Sequence, residues 1–266
     1  MPNLSPAAEK AFSLVELSIV LVILGLLTGG ILTGQSLIRA AELRSVTTQV
    51  QQIKTAALTF RDKYFALPGD MKNATDFWKN ANIGNVGGEC TAPGTDTGSG
   101  TQTCNGNGDG QIKEATTTAT GFEAFRAWQH LANAGLIEGN YTGISANTTN
   151  RDALAGQNIP ATKLSNGGIY IRYLGSVISN PNSFDGNYGN ALLIGADDAA
   201  SGLPASPLFK SEELWNLDKK LDDGQPGYGF VRTYKPANSP DCAIDAQNYD
   251  LGKNTTACSL HIITGL

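Results

Sequence analysis

The feature that most constrains this chain is an apolar run near its N-terminus. Residues Phe12 to Leu32 form a stretch of twenty-one residues with a single charged side chain, Glu16. A helix of that length spans about 31 Å, which is enough to cross the hydrocarbon core of a bilayer. A signal peptide has a shorter apolar core followed by a small-residue cleavage site, whereas this run continues into a further helical pattern. The run therefore predicts a membrane helix that the mature protein keeps.

Glu16 is the most informative residue of this segment. A carboxylate inside a membrane helix is costly and generally has a partner or a function. A candidate cleavage point lies before the run, between Ala11 and Phe12, and cleavage there would make Glu16 the fifth residue of the new chain. The terminal ammonium of a neighbouring chain would then neutralise the carboxylate in a medium of low dielectric constant. The alternative is a tolerated charge near the end of an ordinary single-pass anchor.

The residues around this point resemble the type IV pilin and type II secretion pseudopilin family. The resemblance rests on the sequence AFSLVEL from Ala11 to Leu17 and on the following apolar run with Gly25. Ala11 stands where the family usually has glycine. The resemblance implies that prepilin peptidase cuts before Phe12 and methylates it, and that the retained helix becomes the core of a filament.

The same resemblance implies partners and a location. The expected partners are identical or homologous subunits, the prepilin peptidase, an inner-membrane assembly platform and, before assembly, membrane lipid. The precursor is expected to cross the bacterial inner membrane once, with its head in the periplasm. It is then expected to enter a cell-surface or periplasmic filament.

Beyond the apolar run, the helical pattern becomes amphipathic. Apolar residues recur at alternating spacings of three and four, as on one face of a helix. They are Leu43, Val46, Val50, Ile53, Ala57, Phe60 and Tyr64. We expect this stripe to pack on the chain's own globular domain, and a coiled coil with another subunit is the alternative. The sequence LPGD at Leu67 to Asp70 predicts the end of the helix.

These patterns predict a leader, one long helix in two parts and a head domain. Their predicted ranges are 1–11 for the leader, 12–34 for the polymerisation part of the helix, 35–65 for its amphipathic part and 66–266 for the head. Three glycines between 28 and 34 weaken the helix. They predict either local unwinding within a filament or close packing of helices through small residues.

The head is predicted to be a single α+β domain. Helices are expected at Gly121–Gly135, with a partly buried His130, and at Ser211–Leu221. Strands are expected at Ile169–Leu174, Ala191–Ile194, Gly229–Tyr234 and Ser259–Thr264. Because helices and strands are segregated, we expect an antiparallel sheet. The predicted fold is thus pilin-like: a hydrophobic and then amphipathic helix packed on this sheet, with extra helices and a long loop insertion at 84–120.

Four cysteines allow three disulfide connectivities. Cys90 and Cys104 flank thirteen residues, and Cys242 and Cys258 flank fifteen. Pairing within each local pair is favoured, because each bridge would close a loop that lacks core residues. Disulfides would place the head outside the cytoplasm. The C-terminal pair also resembles the cysteine-bounded loop of many type IV pilins.

The strongest chemical motif of the head is the sequence NGNGDGQI at 105–112. It matches the opening of a calcium loop, with oxygen side chains at alternate positions before a turn glycine. The candidate ligands are Asn105, Asn107, Asp109, Gln111 and Glu114. Position 12 of such a loop falls on Thr116 instead of a bidentate glutamate. Two interpretations remain open, a calcium site and a plain glycine-rich turn closed by asparagine and aspartate side chains.

Composition and motifs argue against other functions. The chain has 19 Lys and Arg against 24 Asp and Glu, a net charge of −5, which does not fit a nucleic-acid binder that works by bulk charge. The triplet Asp96-Thr97-Gly98 has no second copy with which to form an aspartic protease dyad. The chain has no G-x-S-x-G, Walker or dinucleotide motif, and no cofactor other than calcium is implied.

We therefore expect a non-enzymatic structural subunit of a type IV pilus-type filament. The long head and the C-terminal cysteine pair favour a pilus over a secretion system. The alternatives are a pseudopilin of a type II secretion system and a non-polymerising, membrane-anchored periplasmic binding module.

Overall fold

A long helix and an antiparallel sheet dominate the computed structural model, which describes residues 13–81, 98–114, 123–146, 152–181, 183–234 and 241–266. The helices are α1 (Leu14–Tyr64), α2 (Ala74–Trp78), α3 (Glu123–Asn133) and α4 (Ser211–Leu221). The strands are β1 (Gly167–Val177), β2 (Gly186–Asp198), β3 (Leu203–Ser206), β4 (Phe209–Lys210), β5 (Val231–Tyr234) and β6 (Thr256–Ile263). The predicted α+β fold class is confirmed.

The sheet is antiparallel throughout the described residues. Strand β2 pairs with β1 on one side and with β6 on the other, and β5 lies on the far side of β6. Beyond the pair Ile194–Leu260, β2 pairs with β3 instead, while the start of β6 pairs with β4. Strands β3 and β4 therefore fill the space where β2 and β6 separate.

The chain divides into two compact units, Met1–Glu42 and Leu43–Leu266. In the second unit, the apolar stripe of α1 belongs to the hydrophobic core. Val46, Val50, Ile53 and Phe60 are buried in the same cluster as the central residues of β1, β2 and β6. Ala57 of the stripe is also buried. Leu43 and Tyr64 pack at its margins. The prediction that this stripe packs on the chain's own domain is confirmed.

Helix α4 has the bounds that its sequence predicts. The backbone N–H of Lys210 donates to Glu213 Oε2 over 2.9 Å, which satisfies a donor at the start of the helix. Lys219 and Lys220 lie in the last turn, where positive charge is favourable. The buried side chains of Leu214 and Leu217 attach the helix to the core.

Part of the predicted insertion at 84–120 packs into the core. Ile112 is fully buried, and its carbonyl accepts a hydrogen bond from the Tyr173 N–H of β1 over 2.7 Å. The amide of Asn190 on β2 also binds this segment, because Asn190 Oδ1 accepts the Ile112 N–H over 2.9 Å. Ile112 is thus held against the sheet by one backbone hydrogen bond to β1 and one hydrogen bond to a side chain of β2.

A buried aspartate joins α4 to the loop closed by Cys242 and Cys258. Asp218 is fully buried, and its Oδ2 accepts the Tyr249 hydroxyl over 2.7 Å. Burial raises the pKa of Asp218 to about 7, aided by the neighbouring carboxylates of Asp222 and Asp223. Folding therefore favours the protonated form of this carboxyl group.

We predict that Asp218 makes the head less stable as pH rises. A pKa raised on folding stabilises the protein fully below pH 4, and this contribution is lost as pH rises through about 7. In Asp218→Asn, the fall in melting temperature between pH 5 and pH 8 should be smaller than in the wild type. Thermal unfolding of the full chain in detergent, followed by circular dichroism, measures this difference. The exposed control Asp62→Asn should keep the wild-type slope, and an equal slope in both variants would refute the prediction.

Candidate functional site

The candidate site begins at Gly69, where a buried histidine of α3 binds the turn that follows α1. His130 was expected to be partly buried, and it is fully buried. Its Nδ1 accepts the Gly69 N–H over 3.0 Å, so the neutral ring carries its proton on Nε2, which lies 2.9 Å from Thr103 Oγ1. Burial, followed by the charge of Arg126, lowers the pKa of His130 to about 3. The imidazole is therefore a neutral structural link.

At Gly69 the chain approaches α3 so closely that only a glycine fits. Its φ is +85°, and a Cβ there would lie 2.2 Å from the carbonyl oxygen of Glu123. The hydrogen bond to His130 and this close approach fix the direction in which the next residue points. That residue is Asp70.

The Asp70 carboxylate is enclosed by the glycine-rich loop. Its Oδ1 accepts the backbone N–H groups of Gly108 and Asp109, and its Oδ2 accepts the Gly110 N–H over 2.8 Å. Asp70 is 3% exposed. The loop thus presents its N–H donors to a carboxylate, and these hydrogen bonds determine its path.

A second buried carboxylate holds the two ends of the same loop. Glu123, the first residue of α3, accepts the Asn107 N–H on Oε1 over 3.0 Å and the Lys113 N–H on Oε2 over 2.9 Å. Burial raises its pKa to about 7; the two N–H bonds oppose this shift, and the charges of Asp70 and Asp109 add to it. Burial, with a smaller contribution from Asp109, also raises the pKa of Asp70. The two carboxylates are therefore crowded together.

A lysine ammonium partly balances this crowding. Lys113 Nζ makes a salt bridge with Asp109 Oδ2. Although burial acts in the opposite direction, this hydrogen bond lowers the pKa of Asp109, and the bond to Asp109 raises the pKa of Lys113. A positive charge thus lies at the open side of the carboxylate group.

The described structure brings together some of the predicted calcium ligands and separates others. Asp109 lies with Asp70 and Glu123, with one carboxylate oxygen of each within 4.8 Å of the others. The Asn107 amide donates to Asp109 over 3.2 Å. The side chains of the two outer candidates bind elsewhere: Asn105 Oδ1 accepts the Thr75 N–H over 2.9 Å, and Glu114 pairs with Arg172 over 3.3 Å. Gln111 contributes its backbone N–H to Asp109 Oδ1 over 3.0 Å.

The distances between the three carboxylates fit a calcium ion, but their existing hydrogen bonds and salt bridge compete with one. Oxygens on opposite sides of a calcium ion are about 4.8 Å apart, since each lies about 2.4 Å from the metal. However, Asp70 and Glu123 already accept five backbone N–H groups, and Lys113 contacts Asp109. A calcium ion would compete with that ammonium, so calcium binding stays a prediction.

Asp70 and Glu123 are the site residues that sequence reasoning missed. Asp70 is the last residue of the LPGD helix stop, and Glu123 is the first residue of helix α3. Both side chains accept hydrogen bonds from backbone N–H groups. Because almost every residue has a backbone N–H, the residue types of the loop do not show which of these groups meet a carboxylate. An acidic residue directly after the turn glycine, as in Gly69-Asp70, was the available signal.

The C-terminal cysteines form the predicted bridge. Cys242 and Cys258 are disulfide-bonded, with their Cα atoms 5.1 Å apart. Cys104 is also disulfide-bonded and buried. Its expected partner, Cys90, lies outside the described residues, so that pairing stays a prediction.

The first unit presents a different kind of surface. Every large apolar side chain from Leu14 to Ile38 is at least half exposed. In the described part of the chain, α1 is the one helix long and apolar enough to span a membrane. Burying one such side chain is worth roughly 1.5–3 kcal/mol, so this segment strongly favours lipid or other helices over water.

Glu16 lies in the first turn of this helix. Its Oε2 accepts the Ser13 N–H over 2.9 Å, which satisfies one of the free donors at the helix start. Glu16 has no cationic partner among residues 13–81 and the other described segments.

A comparison with protein families finds one feature in this region. Residues 6–32 match the family model described as the prokaryotic N-terminal methylation motif. This chain carries the N-terminal signature of type IV pilins and pseudopilins. No curated protein and no solved structure matches the chain.

The methylation motif includes the predicted cleavage and assembly residues. Ala11 and Phe12 fall within the match and lie outside the described residues, so cleavage and methylation there stay predictions. Glu16 also falls within the match and lies at the exposed start of α1. The motif thus coincides with the segment of α1 whose large apolar side chains are exposed.

We predict that Asp70→Asn destabilises the head by about 1–3 kcal/mol, the usual cost of a buried donor without an acceptor. An asparagine offers one oxygen, so at least one of the three loop N–H groups would face an amide NH₂ group. Urea unfolding of the full chain in detergent measures the loss. Asp62→Asn, at an exposed site of α1, is the control and should change the free energy of unfolding by less than about 0.5 kcal/mol. Equal stabilities of the two variants would contradict the enclosed role of Asp70.

We predict that calcium binding is limited by Lys113. Because its ammonium contacts Asp109, Lys113→Gln should bind calcium several-fold more tightly than the wild type in a calorimetric titration. The double variant Lys113→Gln, Asp109→Ala should lose the heat. No heat from either Lys113→Gln or the wild type would leave the loop a glycine-rich turn and end the calcium interpretation.

Proposed function

We propose that this chain is a structural subunit of a type IV pilus-type filament. In this proposal prepilin peptidase cuts after Ala11 and methylates Phe12, and the subunits polymerise through their N-terminal helices. The observation that carries the proposal is the coincidence of the methylation motif at 6–32 with the part of α1, from Leu14 to Ile38, whose large apolar side chains are all exposed. An ordinary anchor needs the apolar length, but it does not need the motif.

Glu16 is the assembly residue in this proposal. Inside a bundle of apolar helices, an unpaired carboxylate is strongly unfavourable. The terminal ammonium at Phe12 of a neighbouring subunit is a suitable partner, since cleavage creates it within four residues of Glu16 in the sequence. Pairing between copies would then specify the stagger of adjacent helices.

The proposed location follows from the same features. Before assembly, α1 crosses the inner membrane once and the head lies in the periplasm, where disulfides such as Cys242–Cys258 persist. An assembly platform then moves subunits, identical or homologous, from the lipid into a filament. The net charge of −5 supports neither bulk nucleic-acid binding nor an association with acidic lipid head groups.

A pseudopilin of a type II secretion system is the second candidate. The motif is common to both classes, and the pilus assignment rests on the long head and its C-terminal cysteine pair. A non-polymerising periplasmic binding module is the third, and it requires an uncut N-terminus. The motif is typical of structural subunits, and we propose no enzymatic activity.

We predict that the mature chain begins at Phe12 and carries one added methyl group. Intact-mass measurement of the protein purified from its native membranes tests this. Glu16→Leu should be cut and inserted as the wild type is, because the change makes the segment more apolar. It should nevertheless fail to enter filaments sheared from cells and viewed by electron microscopy.

Two results would count against the proposal. An uncut leader would favour the anchored module, and full incorporation of Glu16→Leu would make the carboxylate incidental. Glu16→Asp is the matched control, since it keeps the charge and shortens the side chain by one methylene. Wild-type filaments confined to the periplasm, with loss of protein export on deletion, would favour the pseudopilin.

A further inference from the structure

The end of α1 displays an aromatic side chain in an unfavourable backbone conformation. Phe65 is the first residue after α1, its φ is +53°, and its N–H donates to the Arg61 carbonyl over 2.8 Å. Helices commonly end with a residue in this left-handed conformation, and glycine is the usual one because it has no Cβ. Phe65 is also 92% exposed. The ring thus gains no burial within its own chain.

Beside Phe65 lies an open depression with a positive rim. Its volume is about 390 Å³, and its walls include Arg61, Lys72 and the turn glycines Gly108 and Gly110. The one carboxylate in its lining is Asp70, which is buried and accepts three backbone N–H groups. The depression therefore combines an apolar ring with two cationic side chains.

The loop closed by the C-terminal disulfide carries an exposed turn at Ile244 and Asp245. Ile244 is 70% exposed and is followed by the exposed Asp245. The Ile244 N–H donates to the Asn248 carbonyl over 2.9 Å, and Asp245 Oδ1 accepts the N–H groups of Gln247 and Asn248. Hydrogen bonding from Asn248 lowers the pKa of Asp245. This turn holds an apolar side chain next to a charged carboxylate.

The Ile244–Asp245 turn and the depression lie at different heights along α1. The Gly227 N–H donates to the Ala246 carbonyl over 2.9 Å, which ties the turn to the segment before β5. In that segment Phe230 lies under the Lys54 ammonium, 5.0 Å from the ring centroid. Lys54 precedes Phe65 by about 16 Å of helix rise. A second copy shifted along the helix axis can therefore offer its turn to the depression of the first.

We propose that the Ile244–Asp245 turn of one copy docks into the Phe65 depression of the next copy in the filament. Ile244 would pack on the exposed ring of Phe65, and the Asp245 carboxylate would lie between Arg61 and Lys72. Two different surfaces meet, so the contact is heterologous and repeats without closing, as a filament requires. The inference rests on the proposed function, because it assumes that copies of this chain polymerise.

A charge exchange tests the docking. Lys72→Glu and Asp245→Lys should each lower the yield of sheared filaments by about tenfold or more, because each places like charges together. The double variant should recover a substantial part of the yield. Lys163→Glu and Asp197→Lys make the same charge changes at exposed sites outside both surfaces and should assemble normally. Wild-type yields from both single variants, or no recovery in the double variant, would overturn the docking.

A second variant separates docking from folding. Phe65→Gly should raise the melting temperature, because glycine adopts the left-handed conformation freely, and it should lower the filament yield. A purely structural Phe65 predicts no loss of filaments, and that result would refute its part in the contact. N-terminal cleavage and methylation are measured in every variant. If the wild type forms filaments and the variants assemble equally well, the docking is rejected and the proposed function is not. If the wild type is processed but never polymerises, the proposed function itself is rejected.

Discussion

The burial of one face of α1 is the interaction on which the head depends. Its apolar stripe belongs to the same hydrophobic cluster as the buried aliphatic side chains of β1, β2 and β6. Phe60 also connects the helix to the other elements, since its ring lies 6.1 Å from the His130 ring and 6.2 Å from the Trp78 ring. The helix therefore cannot be removed without opening the core.

The two parts of α1 differ in how their apolar side chains are covered. From Leu14 to Ile38 its apolar side chains are exposed, whereas from Val46 onward its apolar stripe is covered. Water is an unsuitable solvent for the first part and a suitable one for the polar face of the second. A chain with this pattern needs a second, apolar environment for its N-terminal part. Membrane lipid and a bundle of identical helices both supply it.

The elements with strong periodicity could be predicted from the sequence. The stripe from Val46 to Phe60 and the capped helix α4 are of this kind. Short apolar runs predicted parts of β1, β2, β5 and β6. Strand β3 could not be predicted in this way, because it has four residues and contains Pro204, which is unusual in a strand. It exists because β2 and β6 separate beside it, which is a tertiary effect.

The glycine-rich loop shows why the site was harder to predict than the fold. The spacing of oxygen side chains indicated ligands that point inward, and it included Glu114. In the structure Glu114 binds Arg172, a strand residue 58 positions away, and the loop turns its N–H groups toward Asp70. Sequence spacing reports side chains at regular intervals. It does not report which distant carboxylate the backbone encloses.

Asp70 also connects this loop to the surface at the end of α1. The carboxylate holds Gly108 and Gly110, and both form a wall of the depression beside Phe65. Backbone hydrogen bonds to a buried group fix this wall, so the loop backbone loses little conformational entropy when a partner binds. The same holds for the turn at Ile244, which the disulfide and the Asp245 carboxylate keep in shape. Two rigid surfaces on one chain, at different heights along its helix, are what repeated head-to-tail contact requires.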